Sequence, residues 1–566
     1  MTSMTEKAQR ILRRIRDDAR WYVQRFLWII TKDNRTVSLD FSKYPSQAYY
    51  FENYWKPDWE AGNPIRHVVL KARQQGISTC IDSLLFQDTA THKNVRSQII
   101  SHDEDSTSHL FSMVKLFYDM LPDGLKPMQR YSNKRELVFE NPDQATRSDR
   151  PGLRSRLSVA YAKNIRAGRS KTLKHVHGSE APLYGDLVSL RTGIEQSVPF
   201  LPRTSIVWEG TANGFGTPFH RLYEAAKRGE NGYKAIFIPW YIHPEYSLTF
   251  ASDEARKTFL DTLTDDPESG SPLTARKSYK LTDEQLHWRQ EKIKTFDTVE
   301  LFWQEYPEND IECFLTSGQH VFPVRRLREL LALCKPPKWR GELTEREDGA
   351  ILFRDDPQGR LRLWELPQPE HIYGIGGDVA EGLAGGDFSA GVVLDLTTYS
   401  VVGLWHGRID PDLFSDELYR LGWYFNEAVI GVEINKYDTA ITTLKKRYGN
   451  VFYRTVLSPT DPSVEVQKLG WLTDTKSKQR MENDLRAALR DESLFLPSQE
   501  AVEELLSYVV HDDGSTGANV SCYDDIAIAL MIALQVAKLH RIVDPEQHKR
   551  RKLKRRQLLG QFSSHA

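Results

Sequence analysis

The chain has 566 residues, with 76 lysines and arginines against 77 aspartates and glutamates, a formal net charge of −1. At 40% hydrophobic and 11% aromatic residues it has the apolar surface for packed cores, which excludes a disordered chain, and its length predicts several compact units. Its four cysteines lack short Cys/His spacing, which argues against a disulfide scaffold or a structural zinc site, and no apolar run reaches the ~20 residues that span a bilayer.

Residues 1–45 read as an N-terminal helical segment. Arg10, Arg13, Arg14 and Arg16 alternate there with Ile11, Leu12 and Ile15 as on an amphipathic helix. Charge stands where a signal peptide needs its apolar stretch, so a soluble intracellular protein without a membrane partner is expected. From about 46 to 320, the strand-like runs HVVLKA, SQIIS, RLSVAYA, KHVHG, TSIVWEG and AIFIPW alternate with helical patterns such as 83–91 and 105–121. That alternation predicts an α/β unit, a parallel-type sheet with helices on its faces. Residues 255–312 are charged and helical, and 321–360, around Lys335-Pro336-Pro337-Lys338, read as a linker.

A second strand-rich block, 361–545, holds GIGGDVA, SAGVVLDL and SVVGLWHGR as three antiparallel strands. A helix (412–425), a strand (429–434) and helices to about 540 follow. A meander followed by such αβα elements is the outline of a ribonuclease-H-like fold. The tail, 546–566, contains KRRKLKRR, seven basic residues in eight. It reads either as a salt-sensitive contact with nucleic-acid phosphates or as a solvated tail.

Three strand ends in the first unit carry polar motifs. VVLKARQQGISTC is an apolar strand, a short loop and a helical pattern, the architecture that offers backbone N–H groups and a helix N-terminus to phosphate. It departs from GxxxxGK[ST], because Ile77 stands at the lysine position and Lys71 begins the loop. The candidate nucleotide ligands are Lys71, with Arg73 as second choice for the cation, then Gln75, Gly76, Ser78 and Thr79, Ser78 also holding Mg²⁺. In KHVHGSEAP, Ser179 stands where a Walker B strand carries Asp, and Glu180 is the candidate base. Thr211, Ala212 and Asn213 end a third strand, where a γ-phosphate sensor sits. Gln47, Tyr49 and Tyr50 either cradle adenine or pack as an ordinary aromatic segment. Arg166 and Arg169 are candidates for an arginine acting on a neighbouring subunit's ATP, and equally for DNA contacts.

In the second block Asp378 and Glu433 end neighbouring strands, and Asp524 and Asp525 open the helix DDIAIALMIAL. Converging carboxylates are hard ligands suited to Mg²⁺ or Mn²⁺, and two such ions clamp a phosphodiester for hydrolysis. Asp525 is preferred to Asp524, which also suits a helix cap. Asp387 is a weaker candidate.

The ordered set KARQQGIST, HGSEAP, EGTANG, WQEYPENDIECFLTSGQHVF, GGDVAEG, GDFSA, GVEIN and YDDIAIAL resembles the large subunit of the terminase of tailed double-stranded DNA bacteriophages, over about residues 45–545. The stretch 306–322 adds to the resemblance although no catalytic logic demands it. The resemblance implies an N-terminal P-loop ATPase that drives double-stranded DNA through a portal into a procapsid, and a C-terminal ribonuclease-H-like nuclease that cuts concatemeric DNA. It further implies a small terminase subunit as partner, a self-oligomer ring on the portal, and work in the host cytoplasm. Ser78 then serves Mg²⁺-ATP, Glu180 hydrolysis, Thr211–Asn213 coupling, and Asp378, Glu433 and Asp525 the nuclease metals. The departing loop leaves one alternative open, a resolvase-like nuclease whose first unit binds nucleotide without acting as a motor.

Overall fold

The computed structural model describes residues 6–133, 135–163, 172–266, 270–315, 319–383, 386–435, 438–457, 465–511, 513–519 and 522–539. Arg166, Arg169 and the basic tail lie outside them. Two compact units meet in sequence at Ser317/Gly318. Among the described residues no helix is long and apolar enough to cross a membrane.

The first unit opens with the helices Glu6–Asp17 and Ala19–Phe26 and a hairpin, β1 (Trp28–Ile30) and β2 (Thr36–Ser38). The arginine-rich helix packs on its own unit: Ile15 is buried, and the Gln87 amide donates to the Ile15 and Arg16 carbonyls at 2.9 Å. The main sheet consists of β3 (Ile65–Lys71), β4 (Arg96–Ser101), β5 (Tyr131–Ser132), β6 (Glu136–Glu140), β7 (Gly152–Tyr161), β8 (His175–Ser179), β9 (Ser205–Gly210) and β10 (Lys234–Ile238). Their order is β10-β3-β9-β8-β4-β7-β6-β5. The run from β10 to β7 is parallel and buried at its centre, as expected. The antiparallel pair β5–β6 at one edge is an addition. The helix Ile77–Thr91 covers the sheet through Ile81, Leu84, Leu85 and Phe86.

A smaller aromatic cluster follows, built on Trp240, Tyr246, Phe302 and Tyr306. At its heart the Arg289 guanidinium meets Glu308 at 2.6 Å, with the Trp240 and Trp303 indole N–H groups also donating to that carboxylate. A buried ion pair satisfied on this scale is costly to break from one side.

The second unit contains β11 (Gln319–His320), β12 (Trp339–Glu345), β13 (Ile351–Asp355), β14 (Leu361–Leu363), β15 (Tyr373–Asp378), β16 (Ser389–Asp395), β17 (Ser400–Gly407) and β18 (Val429–Val432). The seven-stranded order is β13-β12-β14-β17-β16-β15-β18, antiparallel throughout except for parallel β15–β18. The segment β15 to β18 is the expected ribonuclease-H-like arrangement. The stretch 321–360 is not a linker. It forms the helix Val324–Leu333, the edge strand β13 and its neighbour β12, whose exposed faces carry the charge that makes them read as loop. Nor is 435–540 all helix: β19 (Tyr453–Leu457) and β20 (Glu465–Leu469) form a hairpin, and β21 (Tyr508–Val510) and β22 (Thr516–Ala518) join β11.

The helix Asp525–Leu539 crosses β15 at very close range. A Cβ on Gly376 would lie 2.0 Å from the Ala529 carbonyl oxygen, so only glycine fits there. On the opposite face Leu418 and Leu421 of the helix Pro411–Tyr424 cover Gly377 and Gly391.

Candidate active sites

In the first unit β3, β8 and β9 end side by side, so their terminal polar residues converge. Lys71 closes β3 and is buried; its Nζ lies 2.9 Å from Glu180 Oε1 and 3.3 Å from Glu209 Oε2. Burial alone would lower the lysine pKa, but the two carboxylates overcome it and hold the ammonium charged. The loop turns through left-handed residues Gln74 (φ 58°) and Gly76 (φ 71°). Gln75 ties it down, its side chain accepting from Ala72 N and donating to the Pro239 carbonyl. Gly76 caps the helix Ile77–Thr91 without a side chain, which leaves the first-turn amides open toward an anion.

Ser78 Oγ donates to Glu209 Oε1 at 2.7 Å, and Ser179 Oγ lies 3.5 Å from Ser78 Oγ. Glu209 is fully buried and also faces His177, whose other nitrogen lies 2.6 Å from Asp82. Burial would strip His177 of its proton; Asp82 and Glu209 outweigh it and raise the pKa to about 9. Burial would likewise lift Glu209, but Lys71 and His177 hold it well below the carboxylate range.

Glu180 itself sits in the left-handed region (φ 55°), a strained position for a non-glycine residue. Asn213 Nδ2 donates to the Pro182 carbonyl at 3.2 Å, joining the Thr211–Asn213 loop to the turn that carries Glu180. Arg73 is exposed and pairs with Glu305 at 3.2 Å, while the Glu305 carbonyl accepts its backbone N–H. The segment around Glu305 and Tyr306 thus clamps the loop 72–76, a contact that its own residues do not announce.

The three residues considered for adenine separate. Gln47 donates to the Gly76 carbonyl at 2.9 Å and belongs to the loop. Tyr50 is buried against His67. Tyr49 lines a cavity of about 800 Å³ with Tyr54, Tyr241, Phe237 and Pro239.

In the second unit Asp378 ends β15, and Glu433 follows β18, its backbone N–H bonded to the Gly377 carbonyl at 2.9 Å. Burial, then Glu433 and Asp525, drive the Asp378 carboxyl far above its usual range. Asp525 begins the last helix, accepts from Phe388 N at 3.3 Å, and is raised to about 7, chiefly by burial. Asp524 holds the cap position, its carbonyl accepting from Ile528 N, but its carboxylate turns to Ala518 N at 3.2 Å. The cap is instead Glu504, from the helix Gln499–Ser507, which accepts from Ile526 and Ala527 N–H at 2.8 and 3.0 Å. Asp387 is close enough to raise both Asp524 and Asp525.

Among the described residues no group of three or more His, Cys, Asp or Glu side chains is already gathered as a metal cage. Hard oxygen donors that raise one another's pKa are nonetheless the donor set a divalent ion stabilises. In the first unit Glu209 is the corresponding acid beside Ser78, its buried Oε2 ion-paired with Lys71 Nζ at 3.3 Å.

Sequence reading missed Glu209, His177, Glu305 and Glu504. The rule that selects Asp378 and Glu433, an acid closing an apolar strand, also fits Glu209 in SIVWEG. Nothing local marks Glu504, one of three glutamates on an amphipathic helix.

No protein-family profile and no curated protein matches the chain. Among solved structures it is similar to the HK97 bacteriophage large terminase, with 11% identity, 92% of this chain and 98% of that one covered, and a TM-score of 0.46. It is similar to the large terminase nuclease from thermophilic phage G20c, at 18% identity, 37% and 97% coverage and a TM-score of 0.27. It is also similar to the large terminase ATPase domain of Thermus phage P74-26, at 13% identity, 44% and 88% coverage and a TM-score of 0.30.

Proposed function

We propose that the chain is a DNA-packaging motor and nuclease of the terminase large-subunit type, hydrolysing ATP in its first unit and cutting double-stranded DNA in its second. The observation that carries the reading is the meeting of Lys71 at the end of β3 and Glu180 after β8, either side of β9, with Ser78 of the following helix beside them, on one chain with a ribonuclease-H-like sheet ending in Asp378 and Glu433.

Lys71 and the amides of Gly76–Thr79 bind the nucleotide phosphates, and Ser78 holds Mg²⁺. Glu180 orients and deprotonates the attacking water, while Thr211–Asn213 report on the γ-phosphate through the Asn213–Pro182 bond. Asp378, Glu433 and Asp525, with Asp524 beside them, hold divalent ions, Mg²⁺ or Mn²⁺, in the second unit. Ions there supply positive charge to both the attacking and the leaving oxygen of a phosphodiester. Arg73 remains with Glu305 and serves the loop's shape. The portal, the small terminase subunit, a ring of copies and transient docking on the procapsid in the host cytoplasm complete the reading. The basic tail adds phosphate contacts.

The test is cleavage of supercoiled plasmid in Mg²⁺ or Mn²⁺ by the unmodified chain and by Asp378→Ala, with EDTA as blank, alongside ATP turnover with and without linear DNA. Metal-dependent cleavage lost in the variant, together with DNA-stimulated turnover, is the expected result. Cleavage that survives Asp378→Ala overturns the nuclease assignment. Turnover indifferent to DNA overturns the motor in favour of a nuclease with a nucleotide-binding first unit.

A further inference from the structure

The Walker-type architecture calls for a carboxylate beside the P-loop hydroxyl, to hold the hydroxyl and the water shell of its magnesium ion. Position 179, where that acid belongs, is serine. Its hydroxyl reaches toward Ser78 but stops at 3.5 Å and carries no charge.

The parallel pairing of β8 and β9 sets Ser179 directly opposite Glu209. Neighbouring strands stand about 4.8 Å apart, so an acid on β9 at this register reaches the same hydroxyl from the side. It does so: Glu209 Oε1 accepts from Ser78 Oγ at 2.7 Å. Its other oxygen, Oε2, is buried and ion-paired with Lys71 Nζ at 3.3 Å. His177, backed by Asp82 one turn beyond Ser78 on the helix, fixes the carboxylate from behind.

We propose that Glu209 is the transplanted Walker B carboxylate of this chain, a positioning residue that holds the Ser78 hydroxyl for magnesium from the adjacent strand. The assignment rests on the nucleotide-binding reading of the first unit.

The experiment measures the dissociation constant of a fluorescent, non-hydrolysable ATP analogue with excess Mg²⁺ and with EDTA. The unmodified chain is compared with Ser78→Ala, Glu209→Gln, the Ser78→Ala/Glu209→Gln double variant, and Glu209→Gln/Ser179→Asp. Glu209→Gln is expected to lose the Mg²⁺-dependent strengthening by about 10- to 100-fold, the usual effect of removing a group that orients a metal ligand, while binding in EDTA changes far less. The Ser78→Ala and Glu209→Gln losses overlap instead of adding. Ser179→Asp restores part of the loss, which a purely structural role for Glu209 does not predict.

Thermal melting separates misfolding from loss of function. If Glu209→Gln unfolds, the proposal rests on Ser179→Asp recovering both fold and Mg²⁺ dependence, and failure of that recovery overturns it. Unchanged Mg²⁺ dependence in a folded Glu209→Gln chain overturns the role of Glu209 alone. An unmodified chain that binds no nucleotide overturns the reading beneath it.

Discussion

Lys71 Nζ lies 2.9 Å from Glu180 Oε1, so the cation assigned to phosphate and the carboxylate assigned to the attacking water form one ion pair. A phosphate arriving at Lys71 therefore competes with Glu180. We expect Glu180→Gln to lower ATP turnover by about 10²- to 10⁴-fold, the range for a lost general base, while binding a non-hydrolysable analogue more tightly than the unmodified chain. Lys71→Met is expected to lose binding and turnover together. Equilibrium titration beside steady-state turnover checks this, and weaker binding by Glu180→Gln contradicts the competition.

The acids of the second unit give a pH dependence of definite sign. The folded pKa of Asp525 is raised to about 7, mainly by burial, from an ordinary aspartate value of about 4. A raised carboxyl keeps its proton in the folded chain where the unfolded chain has lost it. Its stabilising contribution is present below the unfolded pKa and is lost as pH climbs from about 4 through 7. In EDTA, hydrogen exchange over the helix Asp525–Leu539, corrected for intrinsic rates, is expected to quicken between pH 5.5 and 8. Mg²⁺ or Mn²⁺ should suppress the change, and Asp524→Asn should lessen it by removing a neighbouring like charge. Exchange that ignores both pH and metal goes against this account.

Glu504 has a double position, capping Ile526 and Ala527 while standing near Asp525. Glu504→Ala removes the acceptor for two amides and should lower stability in urea by about 1–2 kcal/mol, the upper range for a lost helix cap. Glu504→Gln keeps an acceptor and is expected to stay close to the unmodified chain. Equal losses in the two variants would mean that the cap is not what Glu504 contributes.

His220 offers an opposite sign in the first unit. Its Nδ1 accepts from Gly216 N at 3.1 Å, and the ring packs between Phe215 and Phe314. Burial lowers its pKa to about 3. Below the unfolded pKa of about 6.5, the unfolded chain binds a proton that the folded chain refuses, so stability falls as pH drops from 6.5 toward 3. Hydrogen exchange over Pro218–Lys227 should quicken between pH 7 and 5, and less steeply in His220→Asn. Equal slopes in the two chains would remove His220 as the cause.

The sequence made the interior of each unit legible where strands are long and apolar, as in HVVLKA or SAGVVLDL, and where an acid or hydroxyl closes such a run. It failed at edges. The strands β12 and β13 expose one face, so their charges look like a loop, and their membership in the sheet depends on β14, outside their own sequence. Glu209 escaped because β9 is buried on both faces, so alternation gives no hint of which way a side chain points. Only the register of β8 on β9 connects it to Ser78. Glu504 lies about 20 residues before the helix it caps, a link that exists only after folding.

Gly376 has a consequence for how loss of cleavage is interpreted. With the strand backbone against Ala529, the spacing between β15 and the last helix is the gauge that sets how far Asp378 stands from Asp525. A single methyl at position 376 would wedge the helix outward and part the acids while leaving every one of them chemically intact. A variant of this kind would be silent in any survey of charged residues. The carboxylate cluster is therefore specified as much by the absence of one side chain as by the acids themselves.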